Sequence, residues 1–372
     1  MKSTIRKMEV FGVDMPLAGT FTSAGIAKNV TKCVVIRLTA DTGAIGISSI
    51  EPSAQSKSPG TAPELAAALR DKIAPALIGQ DALNQHRLIE LFEKITPTQP
   101  GAVAGIEMAC VELAANLLDV PLYTYLGGAV TQDVQFNGWI GALPPDEAAA
   151  EAKKWLAAGF KSAKIKVGGF GIQADHDRVA AVRAAVGSAM KLRMDANCLY
   201  DAATSLELCK LVKKYDMQLY EQPAPKEDIE GLAKVRREGG IAVMADESVS
   251  DHASLLAVIK GNAADYVKFG IKQAGGILRS QHMLATAEAA GIPVVIGHGF
   301  GLDPSTMAEC MLAATSRGVL AGLECVGPLK VVDTVTTARM DISAGKLTLP
   351  NSPGLGLKLD EAKLKQYEHH AH

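Results

Sequence analysis

Three short stretches each run an apolar segment into an acid: Leu192-Arg193-Met194-Asp195, Gln218-Leu219-Tyr220-Glu221 and Val243-Met244-Ala245-Asp246. The acids lie 26 and 25 residues apart, about the length of one strand, loop and helix, so consecutive parallel strands would carry three carboxylates to one rim of a barrel. Like charges that close resist joint ionisation. A divalent cation removes the conflict, and an all-oxygen set of side chains favours Mg2+ over zinc. Asp195, Glu221 and Asp246 are the expected ligands. Glu247 competes for the third place. Neighbours on a strand face opposite ways, so Asp246 is preferred and Glu247 is expected to accept a hydrogen bond from a lysine. The competing reading is that these acids only cap the helices that follow. Asn197 is expected to support Asp195, and Arg193 to point inward and offset acid charge.

Lys164-Ile165-Lys166 ends another strand-like run, and side chains two apart share a face, so both ammonium groups would enter the same mouth. Burying them is costly unless acids or substrate charge answer them, and their repulsion is expected to lower the pKa of at least one. A lysine lowered in this way can accept a proton. The alternative is a salt bridge to the metal carboxylates.

The elements that must position these groups follow from periodicity. Strand patterns at 4–14, 30–39 and 43–50, with a turn at Asp41-Thr42-Gly43, precede helical patterns at 62–79, 84–95 and 103–119. That order predicts an α+β capping domain over residues 1–128. From about 134 short apolar strands alternate with amphipathic helices: 134–140, 162–167, 190–195, 217–221, 242–246, 264–269, 293–297 and 320–324. Eight such strands predict an α/β fold with a TIM-like (β/α) barrel over 129–329. Residues 330–372, with a strand-like Lys346-Leu347-Thr348-Leu349-Pro350, are expected to return to the first module. His369-His370-Ala371-His372 reads as the remnant of a purification tag.

Composition narrows the partners. Hydrophobic residues are 48% and charged residues 21% of the 372, enough for a large core. A net charge of −2 without a basic block argues against nucleic acid or an anionic membrane, and no apolar run reaches transmembrane length, so a cytoplasmic enzyme acting on a small molecule is expected. The six cysteines form no CxxC pair and are expected to be reduced thiols.

Taken together, the Lys-x-Lys strand, Asp195-Ala196-Asn197, Tyr220-Glu221-Gln222-Pro223 and Ala245-Asp246-Glu247-Ser248 resemble the enolase superfamily, in its mandelate racemase and muconate lactonising enzyme branch. Leu126-Gly127-Gly128, Ala274-Gly275-Gly276 and Pro353-Gly354-Leu355-Gly356 extend the likeness over nearly the whole chain. Leu323-Glu324-Cys325-Val326-Gly327-Pro328 is most similar to the muconate lactonising subgroup. The resemblance implies Mg2+ on Asp195, Glu221 and Asp246, Lys166 as the proton-transfer lysine, Lys164 steadying a substrate carboxylate, and a homo-oligomer. It also implies chemistry through an enediolate. Substrate choice would fall to a mobile lid at 17–24, with Phe21 as its apolar wall, and to a second loop near 50–53.

One departure matters. Where the subgroup carries a second lysine, five residues before a Gly-Gly pair, this chain has Gly270. Lys268 faces the same way one layer deeper and could reach up past the glycine as a substitute, or could instead be an interior lysine paired with Glu247 or Glu221. His298 lacks the carboxylate that would make it a base; it is a candidate to bind substrate or stand in as an acid, or else a structural loop residue. Glu324 is expected to close the rim as a hydrogen-bond partner, or to serve as a cap or in a salt bridge. A single secure acid/base favours muconate-type cycloisomerisation. The alternatives are an amino-acid or dipeptide racemase, a hydroxy-acid dehydratase, and a non-catalytic carboxylate-binding barrel.

Overall fold

The β-branched alternation at the start of the chain forms an antiparallel sheet of β1 (Ile5–Ser23), β2 (Ile26–Ala40) and β3 (Ile45–Ile50) in that order. The protein is described here by a computed structural model covering residues 3–23, 26–52, 61–297 and 299–369, without the side chains of 22, 23, 26 and 27. At the β2–β3 turn Gly43 takes φ +85, and Asp41 accepts hydrogen bonds from the hydroxyls of Ser3 and Thr4, both at 2.7 Å. The first two strands run on past the predicted 14 and begin before the predicted 30. After a register shift between Pro16 and Phe21, Phe21 pairs with Lys28, Thr22 with Ala27 and Ser23 with Ile26. The stretch expected to be a glycine- and serine-rich loop is therefore, over residues 17–23, part of a two-stranded arm; Ala24 lies outside the described residues. Backbone pairing holds the arm without the apolar alternation that marks a half-buried strand.

The predicted 62–79 helix covers Ala62–Leu77, with a π-helical stretch at Ala68–Ile73. Helix Gln85–Ile95 keeps Leu88 and Phe92 buried on its inner face, while Pro100–Leu117 is buried along most of its length and rests on β3. Its acid Glu107 reaches out of this module. Buried at 1% exposure, it accepts hydrogen bonds from the Ile277 and Leu278 backbone N–H groups, at 2.7 and 2.9 Å, at the start of helix Ile277–Ala289. Burial lifts its carboxyl to about 7, against the pull of those two donors.

Beyond residue 130 the chain alternates strand and helix, as the periodicity predicts. Seven parallel strands, β5 (Gly138–Ile140), β6 (Ser162–Lys166), β7 (Lys191–Asp195), β8 (Met217–Glu221), β9 (Val243–Ala245), β10 (Tyr266–Phe269) and β11 (Val294–Ile296), lie side by side in chain order. The sheet curls until both edges meet one segment. Leu320 donates to Val294 at 2.8 Å and Glu324 to Ile296 at 3.0 Å on one side; on the other, Leu323 donates to Gln135 at 2.7 Å and Asn137 to Leu323 at 2.8 Å. The eighth strand expected at 320–324 is thus a run of isolated bridges, not a ladder, because Gly322 at φ +93 breaks its extended backbone.

The strand expected at 134–140 also divides. Its first part, β4 (Asp133–Gln135), leaves the parallel sheet and pairs antiparallel with β12 (Lys346–Thr348). That part of the tail therefore belongs beside the curled sheet. The rest does reach the first module: Gly354 exchanges hydrogen bonds with Val120 and Leu122, at 3.0 and 2.8 Å, and Val331, Val335 and Leu364 pack with Val13, Met15, Leu17, Cys33 and Val35. His369 is engaged as well, donating its N–H to Gly12 O at 2.9 Å with Nδ1 2.9 Å from Asp14, while 370–372 lie outside the described residues. All six cysteines are unbridged, and among the described residues no helix is long and apolar enough to cross a membrane.

Replacing Glu107 by Ala strands two backbone donors at the start of a buried helix. The expected loss is about 2–4 kcal/mol of unfolding free energy, read by urea denaturation with an unchanged m-value.

Candidate active site

Parallel pairing fixes which side chains share the mouth of the curled sheet. Lys166 stands in register with Asp195, and Asp195 with Glu221. Paired residues on neighbouring strands point to the same face, so the ends of β6, β7 and β8 present one lysine and two carboxylates together. Asp246 follows directly on β9. It is held by Gln222, whose side-chain Oε1 accepts from the N–H groups of Asp246 and Ser248 at 3.0 and 3.2 Å. Gln222 itself sits at φ +39, and Asn197 and Cys198 at φ +43 and +63, left-handed conformations that are uncommon outside glycine and that turn the chain sharply after Glu221 and Asp195.

These acids do not cap helices. The following helices have their own caps: Asp201 accepts from Thr204 N–H, Asp228 from Gly231 N–H and Asp251 from Ser254 N–H, each at 2.8 Å. Asp195 and Glu221 are fully buried and Asp246 is 7% exposed, so their charge must be answered inside the site.

Lysines answer it. Lys164 Nζ lies 2.8 and 3.1 Å from the two oxygens of Glu221, 3.1 Å from Asp195, and in contact with Glu324. Lys166 donates to Asp195 at 2.5 Å and to Asn197 Oδ1. Lys268 bridges Glu221 at 2.8 Å and Asp246 at 2.9 Å, with Glu324 at 3.2 Å. Arg193 points inward as expected, 3.2 Å from Glu324 and donating to the Gly322 and Ala321 carbonyls at 2.8 and 2.7 Å. Burial opposes charge on Lys164, but Glu221 and Glu324 overcome it and raise its pKa. Burial likewise opposes charge on Lys268, where Asp246 and Glu221 prevail. Burial would also raise Asp195, yet Lys166 and Lys164 hold it well below the usual carboxylate range.

Several expectations change. Repulsion was expected to lower the pKa of at least one strand lysine, but Lys164 is raised, because Glu221 and Glu324 outweigh burial and the ammonium of Lys268. Of the two places open to Lys268, the structure shows the interior one: its ammonium pairs with Glu221 and with Asp246 and does not reach past Gly270. Glu247, expected to accept from a lysine, accepts instead from Asn197 Nδ2 at 3.0 Å, and its Oε2 is buried without a hydrogen-bond partner among the described residues. Burial, then the charges of Asp246 and Asp195, raise the Glu247 carboxyl to about 7. Glu324, 3% exposed, takes the salt-bridge role, accepting hydrogen bonds from Lys164 and Arg193 and pairing with Lys268. With the acids drawn to lysines, no three acid, histidine or cysteine side chains among the described residues form a ready-made metal cage. His298 lies outside the described residues.

The first module contributes walls. Phe21 packs edge-on against Trp139 and Phe300, with ring centroids 5.4 and 5.7 Å apart. Glu51, in the second expected loop, pairs with Lys272 at 3.1 Å and accepts from Phe300 N–H at 3.0 Å, while Ser53 lies outside the described residues. Sequence reasoning missed Gln222, Trp139, Phe300 and Lys330, whose Nζ lies 3.8 Å from the Trp139 ring centroid. Trp139 was detectable in principle, because its strand pairs it with Lys164. Lys330 was not, since it follows the last predicted strand.

Lys268→Met leaves three buried carboxylates short of a cation. In buffer containing a chelator the expected cost is about 3–5 kcal/mol, measured by chemical denaturation.

Residues 5–127 match the family described as mandelate racemase / muconate lactonizing enzyme, N-terminal domain, and residues 147–363 match the enolase C-terminal domain-like family. The chain is 28% identical to the L-Ala-D/L-Glu epimerase of Bacillus subtilis, over 95% of this chain and 96% of the relative. It is 27% identical to a chloromuconate cycloisomerase of Cupriavidus pinatubonensis, over 95% and 96%. Its fold is similar to the crystal structure of the Enterococcus faecalis dipeptide epimerase complexed with Mg and the dipeptide L-Leu-L-Tyr, with a TM-score of 0.91 at 28% identity, covering 95% of this chain and 99% of that one.

Proposed function

Because the chain belongs to the mandelate racemase and muconate lactonizing branch of the enolase superfamily, we propose that it moves a proton on the carbon beside a substrate carboxylate, with Lys166 as the acid/base. It is an enzyme of the racemase, epimerase and cycloisomerase kind. In this reading the curled sheet is the (β/α) barrel over 129–329, capped by 1–128, with 330–372 as the returning segment.

Mg2+ would be held by Asp195, Glu221 and Asp246. The residues fit such an ion. All donors are carboxylate oxygens on three consecutive strand ends, their present partners are mainly ammonium groups, and Glu247 Oε2 is a buried oxygen with no hydrogen-bond partner among the described residues. When bound, Mg2+ supplies positive charge against the extra negative charge that an enediolate places on the carboxylate oxygens.

The remaining work falls to the chain's own groups. Lys166 stands at the end of β6, outermost of the two strand lysines, with Asp195 and Asn197 holding its ammonium. Lys164, one residue pair deeper, is charged and fixed by three acids, and serves to steady the substrate carboxylate. The observation that carries the choice of reaction is at β10. Gly270 offers no side chain, and Lys268 is engaged by Glu221, Asp246 and Glu324. One proton-transfer face is sufficient for closing or opening a lactone ring, so cycloisomerisation of a small carboxylic acid is the favoured reaction. Epimerisation of an amino acid or dipeptide is the second reading. The position of Lys268 among these acids favours it, since Lys268 could serve the other face once its acids are otherwise engaged.

Incubation with muconolactone, and separately with dipeptides, in D2O containing Mg2+ tests this. Exchange of the α-proton without inversion is expected, slowed about 10²- to 10⁴-fold in Lys166→Ala. Exchange with inversion would select the second reading, and exchange unaffected by the substitution would overturn the role of Lys166.

A further inference from the structure

In a strand-and-helix repeat the chain commonly passes from a strand to its helix through a short loop. Between β10 and helix Ile277–Ala289 this chain instead places one helical turn, Ile271–Ala274, followed by Gly275 and Gly276 at φ +90 and +139. The turn is pinned on either side. Ile271 N–H donates to Glu309 Oε1 at 3.2 Å, and beyond the glycines Glu107 of the first module takes the N–H groups of Ile277 and Leu278. A Cβ on Gly276 would lie 2.6 Å from the Glu107 carboxyl carbon, so glycine is what lets that acid approach.

Successive residues on a helix point about 100° apart, so the two polar neighbours on this turn look in different directions. Gln273 faces the acids. Its Oε1 accepts from Gly270 N–H at 2.7 Å, which leaves the NH2 end of the amide to donate, and Nε2 lies 3.3 Å from Asp246 Oδ1. Lys268 holds the other oxygen, Oδ2, at 2.9 Å. Asp246 is therefore gripped on each oxygen by a different residue. Of the two grips only the neutral amide is compatible with a cation alongside, because the ammonium of Lys268 repels one.

Lys272 faces the first module. Its Nζ is 3.1 Å from Glu51 Oε1, and the pair is buried, at 9% and 5% exposure. Glu51 is itself fixed: its Oε2 accepts from the Thr31 hydroxyl on β2 at 3.3 Å, and its Oε1 from Phe300 N–H at 3.0 Å. Separating a buried ion pair strands both charges, so the seat of the first module determines where Lys272 stands. A planar peptide bond joins Lys272 to Gln273, and a shift of one is carried to the other.

We propose that Gln273 is a positioning residue for Asp246, and that the first module sets it through the Lys272–Glu51 pair, so that the cation site is complete only when that module is seated. The proposal rests on reading Asp195, Glu221 and Asp246 as a site for Mg2+. It makes the one-turn helix a coupling element: one side reports the position of the cap, and the other orients an acid that the cap does not touch.

Calorimetric titration with Mg2+ is the test. Gln273→Met is expected to weaken binding about 10- to 100-fold, the usual effect of losing a group that orients a ligand. Glu51→Gln combined with Lys272→Met removes both charges at once, leaves none stranded, and should cause a comparable loss although neither residue contacts the acids. All three substitutions together should weaken binding no further than Gln273→Met alone, because they interrupt one path. Lys272→Arg should keep wild-type affinity. Coupling is reciprocal, so Mg2+ should also slow hydrogen exchange of the Phe300 amide in the wild-type protein and not in Gln273→Met. Wild-type affinity in Gln273→Met or in the Glu51→Gln, Lys272→Met variant, losses that multiply in the triple variant, or exchange at Phe300 indifferent to Mg2+ would overturn the proposal and leave the cation site standing. A wild-type protein that binds no Mg2+ would remove both.

Discussion

Buried like charge is the constraint on which the site is built. Parallel pairing forces Asp195 and Glu221 side by side, and the turn after β9 adds Asp246. In a dry interior these carboxylates repel strongly, so the chain surrounds them with Lys164, Lys166, Lys268 and Arg193. Such a network is a poor device for stability. Buried ion pairs can often be exchanged for well-packed apolar groups at little or no loss. Its presence is better explained by the need to keep several charges in fixed positions where a charged substrate arrives.

The two parts of the molecule divide that task. The curled sheet supplies the charged floor, with strand register setting which groups face one another. The N-terminal sheet supplies side chains that close over it: Phe21 on the arm and Glu51 at the end of β3, which ties to Lys272 and to the backbone of Phe300. Tethering of this kind lets the first module cover a floor whose geometry at Lys166, Asp195 and Glu221 is set independently by strand register.

Much of this was legible in the sequence because strand period and strand-end acids leave a regular trace. The spacing of Asp195, Glu221 and Asp246 placed them on neighbouring strands, and Lys164 and Lys166 could only face the same way. Where backbone bonding replaces side-chain pattern, the trace disappears. The arm at 17–23 has no alternation to announce it, and the 318–324 segment bridges two edges without forming a ladder. Partner choice was also hidden. Whether Glu247 meets a lysine or Asn197, and whether Lys268 turns up or sideways, depends on distances across the mouth that spacing along the chain does not encode. Lys330 was missed because a lysine beyond the last strand looks like any surface lysine until three rings are seen around it.

We propose that the acids at the ends of β7, β8 and β9 form a site for one divalent cation. Titration with Mn2+, followed by electron paramagnetic resonance and competed with Mg2+, measures this directly. One ion per chain, displaced by Mg2+ and weakened in Asp195→Asn and Glu221→Gln, is the predicted result. A folded wild-type protein that leaves all the Mn2+ free, or that binds it equally well after both substitutions, would show that these acids hold no such ion.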